Sequence, residues 1–235
     1  MVSKQGCPDC GKAEAEPCIR CLDCMPMDVV CGDCVVRRHR RTPLHRVQRW
    51  NGEFYERETL RGLGLAVQLG HGPGGKCGLP QASHKDFVVI HVNGIHLVNV
   101  NFCGCKRLDR HIQLLRFSWW PATPLQPQSA ATFDVLKHFH LVTLQGKLNA
   151  TDFYRALELH TDNTGLESVP DRLPNFMLMV REWRHIKAMK RAGRGHEEGG
   201  VDATEPGELA IKCPACPRPG VNIPVGGLPD DDPDQ

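Results

Sequence analysis

The sequence predicts an α+β fold: a small cross-braced zinc finger, then a β-hairpin-containing zinc-bound segment, then a three-helix region. Three observations predict it. Cysteine and histidine pairs crowd the stretch from Cys7 to His45. Two β-rich apolar runs flank Asn93-Gly94. Beyond residue 126 the apolar spacing turns helical. The expected boundaries are 5–50 for the finger, 51–125 for the β-rich segment and 126–196 for the helices. A linker with a Cys-x-x-Cys pair follows at 197–224, then an acidic, disordered tail at 225–235.

The finger carries the strongest signal. It reads Cys7-Pro-Asp-Cys10, Cys18-Ile-Arg-Cys21-Leu-Asp-Cys24 and Cys31-Gly-Asp-Cys34, followed by His39 and His45. A Cys-x-x-Cys turn points two thiolates at one ion, and Zn²⁺ takes four S or N ligands in a tetrahedron. Paired as Cys7/Cys10, Cys21/Cys24, Cys31/Cys34 and His39/His45, the ligands make two closed zinc sites, first pair with third and second with fourth. Cys18 is left over, and the choice between it and Cys24 stays open. The competing reading is a disulfide framework. Against it, the N-terminus opens Met1-Val-Ser-Lys-Gln without the apolar core of a signal peptide. The 12 cysteines are also clustered, with seven before residue 35 and none between Cys105 and Cys213. Before residue 18 apolar material is scarce, so zinc must replace a core, contributing on the order of 10 kcal/mol of folding energy. Val29-Val30 reads as a short strand, and Val35 to Arg41 as a short helix carrying His39.

Whole-chain properties narrow the function. In 235 residues no run approaches a membrane span. A formal net charge of +2 is too small to argue for nucleic acid by itself. Basic residues are nonetheless concentrated at Arg37, Arg38, Arg40 and Arg41, a candidate phosphate-contacting patch whose alternative is a solvated helix face. Acidic residues crowd Asp230, Asp231, Asp232 and Asp234.

In the second segment, Leu63 to Gly70 suits a buried strand. Gly75-Lys76-Cys77 lacks the Ser or Thr of a phosphate loop. Phe87 to Val92, Asn93-Gly94 and Ile95 to Phe102 form the hairpin. Its second strand places Ile95, Leu97, Asn99 and Asn101 on one face and His96, Val98, Val100 and Phe102 on the other. His91 and His96 read as locally satisfied strand residues. The strand delivers Cys103-Gly104-Cys105, half of a metal site. His71 and Cys77 are the nearest completing ligands, with His84 in reserve, giving a third zinc. Three buried thiols are the alternative.

Leu114 to Pro124 reads as an aromatic, proline-broken segment. Three helices are expected after it. Ala130 to Gln145 carries Phe133, Leu136, Phe139 and Leu144. The second, capped by Asn149 or Thr151, carries Phe153, Tyr154, Leu157 and Leu159. The third spans Asn175 to Ala192, with Phe176, Met179, Val180, Trp183 and Ile186 as its stripe and Gly193 as its stop. Arg194 to Gly200 reads as a linker. Cys213-Pro-Ala-Cys216 is a metal half site without a second half nearby. Asp109, Asp134 and Asp152 form no acid, base and nucleophile constellation, so the chain does not read as an enzyme. A RING ligase is disfavoured because the central Cys-x-His step is missing.

An ordered set of phrases carries a resemblance. It runs through Cys31-Gly-Asp-Cys34-Val-Val-Arg-Arg-His39, Pro43-Leu-His45, Trp50-Asn-Gly52, Val67-Gln-Leu-Gly-His71 and Val92-Asn-Gly-Ile-His96. It continues through Phe102-Cys-Gly-Cys105, Trp120-Pro-Ala-Thr123, Thr161-Asp-Asn-Thr-Gly165, Val180-Arg-Glu-Trp-Arg184, Lys190-Arg-Ala-Gly-Arg-Gly-His196 and Cys213-Pro-Ala-Cys216. Together these resemble the Cys-x-Cys-type cysteine-cluster domain associated with fungal KDZ transposases, over about residues 5 to 224. The front end also resembles B-box and ZZ zinc fingers. The resemblance implies a non-catalytic accessory region of a mobile-element protein, working in a nucleus. The partners it implies are DNA or a transposase catalytic domain or subunit, with no membrane and no small-molecule substrate. The RNase H-like catalytic domain expected to follow the cluster is missing after Ile223-Pro224, so a truncated element or shortened gene is expected. The runner-up is a protein-interaction finger without DNA contact.

Overall fold

The structure, a computed structural model, describes residues 6–12, 18–72, 75–166 and 168–225. The N-terminal pentapeptide, the Pro73-Gly74 step of the glycine-rich loop and the acidic tail from residue 226 lie outside the described residues. The chain forms two compact units, one through Arg184 and one from His185.

The first unit begins with an antiparallel sheet. Strands β1 (Ile19–Cys21), β2 (Val29–Val30), β3 (Val47–Trp50) and β4 (Tyr55–Glu58) lie in the order β2-β1-β3-β4. Helix α1 (Gly32–Arg38) is set between β2 and β3 in sequence and starts earlier than expected, with Cys31 as its N-cap and His39 as its C-cap. The boundary expected at 50/51 falls inside the β3–β4 hairpin. Asn51 explains why: its side chain accepts from the backbone N–H groups of Glu53 and Phe54 at 3.0 and 2.9 Å, closing the turn. The core of this sheet is built from the cysteines themselves, with Cys7, Cys21, Cys31 and Cys34 buried beside Ile19 and Val35. Leu60 and Leu65 complete it from further along the chain.

A second sheet holds β7 (Val88–His91), β8 (Gly94–Leu97), β10 (Trp119–Pro121) and β11 (Ser129–Thr132) in the order β10-β11-β7-β8, with β11 parallel to β7. A third holds β5 (Ala66–Gln68), β6 (Pro80–Ala82) and β9 (Asn99–Cys103) in the order β5-β9-β6. The expected second strand of the hairpin is therefore two strands. Val98 is the joint: β8 stays with β7, while β9 leaves to pair with β5 and β6. The turn also sits one residue earlier than expected, since His91 pairs with Gly94. A Cβ on Gly94, whose φ is +142°, would stand 2.8 Å from Thr161 Oγ1, so this turn tolerates only glycine. The buried strand expected over Leu63 to Gly70 shortens to β5.

Phe87, Val88, Val89 and Ile90 are all fully buried because the sheet is covered on both faces. Val88 and Ile90 face a core with Leu136, Phe139, Phe153 and Phe176. Phe87 and Val89 face another with Leu69, Val100, Phe102 and Leu114. Helices α2 (Arg110–Arg116), α3 (Phe133–Gly146), α4 (Ala150–Thr161) and α5 (Leu173–Arg191) complete the order. Helix α2 ends inside the segment expected to be proline-broken, Leu114 to Pro124, and β10 occupies the middle of that segment. Helix α3 starts at Phe133, since Thr132 caps it by accepting from Val135 N–H and Ser129 to Thr132 are strand. Asn149 caps α4, accepting from Asp152 N–H. Leu144, Leu159 and Ile186, expected on buried stripes, are exposed. They lie at the far ends of helices that have run past the core. The division between units falls within α5. In the second unit the expected linker is a series of turns in which Arg194 is buried and ion-paired with Glu197 and Glu208.

Candidate metal centres

Among the described residues three groups of side chains close on common points, and in each the four potential ligand atoms lie within 4.8 Å of one another. The first is Cys7, Cys10, Cys31 and Cys34. Cys7 and Cys10 sit on a turn, and Cys31 and Cys34 on the entry to α1. Cys10 and Cys31 sulfurs are 4.0 Å apart, and Cys31 N–H donates to Cys7 Sγ at 3.3 Å. Burial pushes the Cys7 thiol up, but backbone N–H groups of Cys31, Cys10 and Asp9 outweigh it and hold it down to about 6. Burial and the crowding thiols push Cys34 far up. Four thiols this close cannot all ionise unless a cation joins them.

The second group is Cys21, Cys24, His39 and His45. Cys24 Sγ is 3.4 Å from His39 Nε2 and 3.3 Å from His45 Nδ1, and Cys21 Sγ is 3.5 Å from His45 Nδ1. His39 Nδ1–H donates to Val35 O at 2.8 Å, which leaves the Nε2 lone pair facing the sulfurs. Burial holds both imidazoles below their ordinary pKa, in the neutral form that ligates. The pairing is interleaved, first pair with third and second with fourth. Cys24, not Cys18, belongs to the group; Cys18 lies against the finger's core.

The third group is His71, Cys77, Cys103 and Cys105. His71 Nε2 is 3.2 Å from Cys103 Sγ and 3.3 Å from Cys105 Sγ, and Cys77 and Cys105 sulfurs are 3.8 Å apart. Burial falls from Cys103, at the end of β9, to the exposed Cys105. Gly70 permits this approach: a Cβ there would lie 2.5 Å from the Cys103 Cβ. His84 stays outside the group, accepting instead from Asp86 N–H at 3.2 Å.

Two residues that position these groups were not given that role from the sequence, Asn93 having been read only as a turn residue. Gln113 is buried on α2 and brackets Cys103, accepting from its N–H at 2.8 Å and donating to its carbonyl at 3.1 Å. A glutamine within an apolar helical stripe would have been the signal, had α2 been recognised. Asn93 joins the finger to the hairpin. It donates to Asp23 Oδ2 at 3.1 Å and Leu44 O at 2.9 Å, while its Oδ1 accepts from His96 Nε2–H at 2.8 Å. His91 is satisfied by Thr132 Oγ1 at 2.8 Å.

The basic patch divides. Arg37 and Arg38 pair with Asp9 at 3.0 and 2.8 Å, and Arg38 also with Asp28 at 3.0 Å. Arg40 and Arg41 are exposed and have no acidic partner among the described residues. Cys213 and Cys216 are exposed, and the described residues bring no third Cys, His, Asp or Glu to them. No helix among the described residues is long and apolar enough to cross a membrane.

Residues 60–165 match a family model described as CxC2-like cysteine cluster associated with KDZ transposases. That span is narrower than the resemblance over 5 to 224, and it contains the third group but neither group of the finger. The matched model describes a cysteine cluster rather than a catalytic domain. No curated protein and no solved structure matches the chain. Residues 60–165 are thus a CxC2-type cysteine-cluster domain of the kind associated with KDZ transposases.

Proposed function

We propose that the chain is a zinc-structured, non-catalytic accessory module of a KDZ-type transposase, acting in the nucleus by binding DNA or the transposase itself. Zinc would be held by Cys7/Cys10/Cys31/Cys34, by Cys21/Cys24/His39/His45 and by His71/Cys77/Cys103/Cys105. The supporting observation is that each group supplies four donors, sulfur and nitrogen only. A tetrahedral zinc at ordinary bond lengths sets S···S near about 3.8 Å and S···N near about 3.5 Å. The S···S separations of 4.0 Å for Cys10–Cys31 and 3.8 Å for Cys77–Cys105 and the S···N separations of 3.2–3.5 Å sit close to those values, while Cys103 and Cys105 stand closer, at 3.0 Å. A set of four protein donors is that of a structural rather than a catalytic zinc. The test is elemental analysis of the purified chain. Three zinc ions are expected, falling to two in Cys103→Ser/Cys105→Ser. Two ions in both proteins would remove the third site, and no zinc would remove the proposal.

A protein-interaction module without DNA contact is the second reading. The ion pairs that tie Arg37 and Arg38 to Asp9 and Asp28 favour it, because they neutralise half of the basic patch. Salt separates the two. Phosphate contacts weaken steeply with ionic strength, whereas an apolar protein interface does not.

A further inference from the structure

The largest cavity described, about 780 Å³, carries both signs of charge, with Arg46 and Arg61 facing Glu56, Glu58 and Asp162. A second cavity, of about 620 Å³, is different. It opens beside the third cysteine group, and its walls carry Arg40, Arg41 and Lys76 with no carboxylate. Gln68 and Asn101, register neighbours in the β5–β9 pair, form one wall. Phe117 forms another. Its ring is half-buried and packs edge-on against Trp119 at 5.0 Å.

We infer that this cleft is a binding site for single-stranded nucleic acid, with Arg40, Arg41 and Lys76 on phosphates and Phe117 stacking on a base. The inference deepens the DNA side of the function proposed above and rests on it. Among the described residues no carboxylate lines this cleft, so its three cations attract an anion. A zinc centre of three thiolates and one imidazole at the third group would carry one negative charge and leave the cleft net positive. Sequence-tolerant single-strand sites combine such a cationic groove with an aromatic platform. The Asn101 amide is unengaged among the described residues, and so is available to a base edge. A cleft of this size admits an unstacked base. A duplex keeps its bases stacked inside and presents phosphates on a broad convex surface, which such a cleft does not match. The placement also explains the split in the basic patch: Arg37 and Arg38 neutralise Asp9 and Asp28, while Arg40 and Arg41 turn toward the CxC2 segment.

The experiment measures binding of a fluorescent oligodeoxythymidylate, about 12 nucleotides long, to the full zinc-loaded chain by anisotropy across a salt series. The expected result is binding whose logarithm falls with log salt at a slope of about −2, for three phosphate contacts. Arg40→Ala/Arg41→Ala should weaken binding at least about tenfold and flatten the slope by about 1.4. Phe117→Leu should weaken binding several-fold with the slope unchanged, since stacking releases no counterions. Arg37→Ala/Arg38→Ala should match the parent. Zinc content equal to the parent's shows that each variant is folded. If the oligonucleotide binds but Arg40→Ala/Arg41→Ala and Lys76→Gln bind as the parent does, the cleft is overturned while DNA binding stands. Equal or tighter binding of a duplex overturns the single-strand assignment, and so does displacement of the oligonucleotide by equimolar inorganic phosphate. No retention at the lowest salt overturns both the cleft and the DNA reading.

Discussion

The finger and the third cysteine group use the same side chains in opposite ways. In the finger the cysteines of the candidate metal centres are the core: Cys7 and Cys34 are about as buried as Ile19 and Val35. In the CxC2 segment the core is made by Leu69, Phe87, Val100, Phe102 and Leu114, and the cysteines hang from its edge. Cys103 still belongs to β9, but Cys105 and the turn to Cys77 lie on the surface. A metal bound in the finger would therefore substitute for hydrophobic burial, which so small a sheet cannot supply. A metal at the third group would only pin loops onto a sheet whose core is already closed by apolar side chains.

The largest expected effect comes from Cys34→Ser. Losing a finger metal removes on the order of 10 kcal/mol of local folding energy. Hydrogen exchange should show amides of residues 18–50 unprotected, with those of residues 87–103 still slow. Loss of protection throughout would break the contrast. Next is Phe102→Ala, which should destabilise the CxC2 core by about 3–5 kcal/mol in denaturant unfolding, with zinc in the finger retained.

A smaller effect sharpens the joint between the two. Burial pushes His96 down to about 3, with neighbouring His91 acting in the same direction. The unfolded chain takes up this proton near the ordinary imidazole value, while the folded chain resists. His96 thus contributes no penalty above about pH 6.5, and its share of stability is lost progressively as pH falls from there toward 3. His96→Gln should flatten the acid limb of stability by up to about 1.4 kcal/mol per pH unit relative to the parent. Identical limbs would mean that the His96–Asn93–Asp23 chain is open in solution. The smallest effect belongs to Cys105→Ser. It should release the third metal and speed exchange only in residues 75–79 and 104–108, with the melting midpoint hardly moved.

Much of the site was legible because metal chemistry acts over short sequence distances. A Cys-x-x-Cys turn fixes its own geometry, so pairing those turns left few solutions, and Cys103-Gly104-Cys105 needed only two more donors. What local pattern could not give was set by distant partners. Strand β11, Ser-Ala-Ala-Thr, has no strand signal of its own and exists because it lies parallel to β7. Strand β10 contains Pro121, and α2 is too short to show a period. The break at Val98 was hidden because residues on both sides favour strands equally, and only the choice of sheet differs. Arg37 and Arg38 read either as a phosphate-contacting patch or as a solvated helix face, because Asp9, which pairs with both, lies far away in sequence.

The packing also bears on how this domain travels through evolution. The matched span of 60–165 is not a physically separable piece. Leu44 of the finger is buried in the CxC2 core, Leu60 and Leu65 are buried in the finger's core, and Asn93 is bonded to both Asp23 and Leu44 O. Phe176 and Met179, beyond the other end, are fully buried against Phe139 and Phe153. Excision at the family boundaries would expose apolar surface at both cuts and strand an amide. Any genetic exchange of this cluster should therefore carry residues 6–184 as a block, with the finger and the first part of α5 moving with the cluster rather than being exchanged for others.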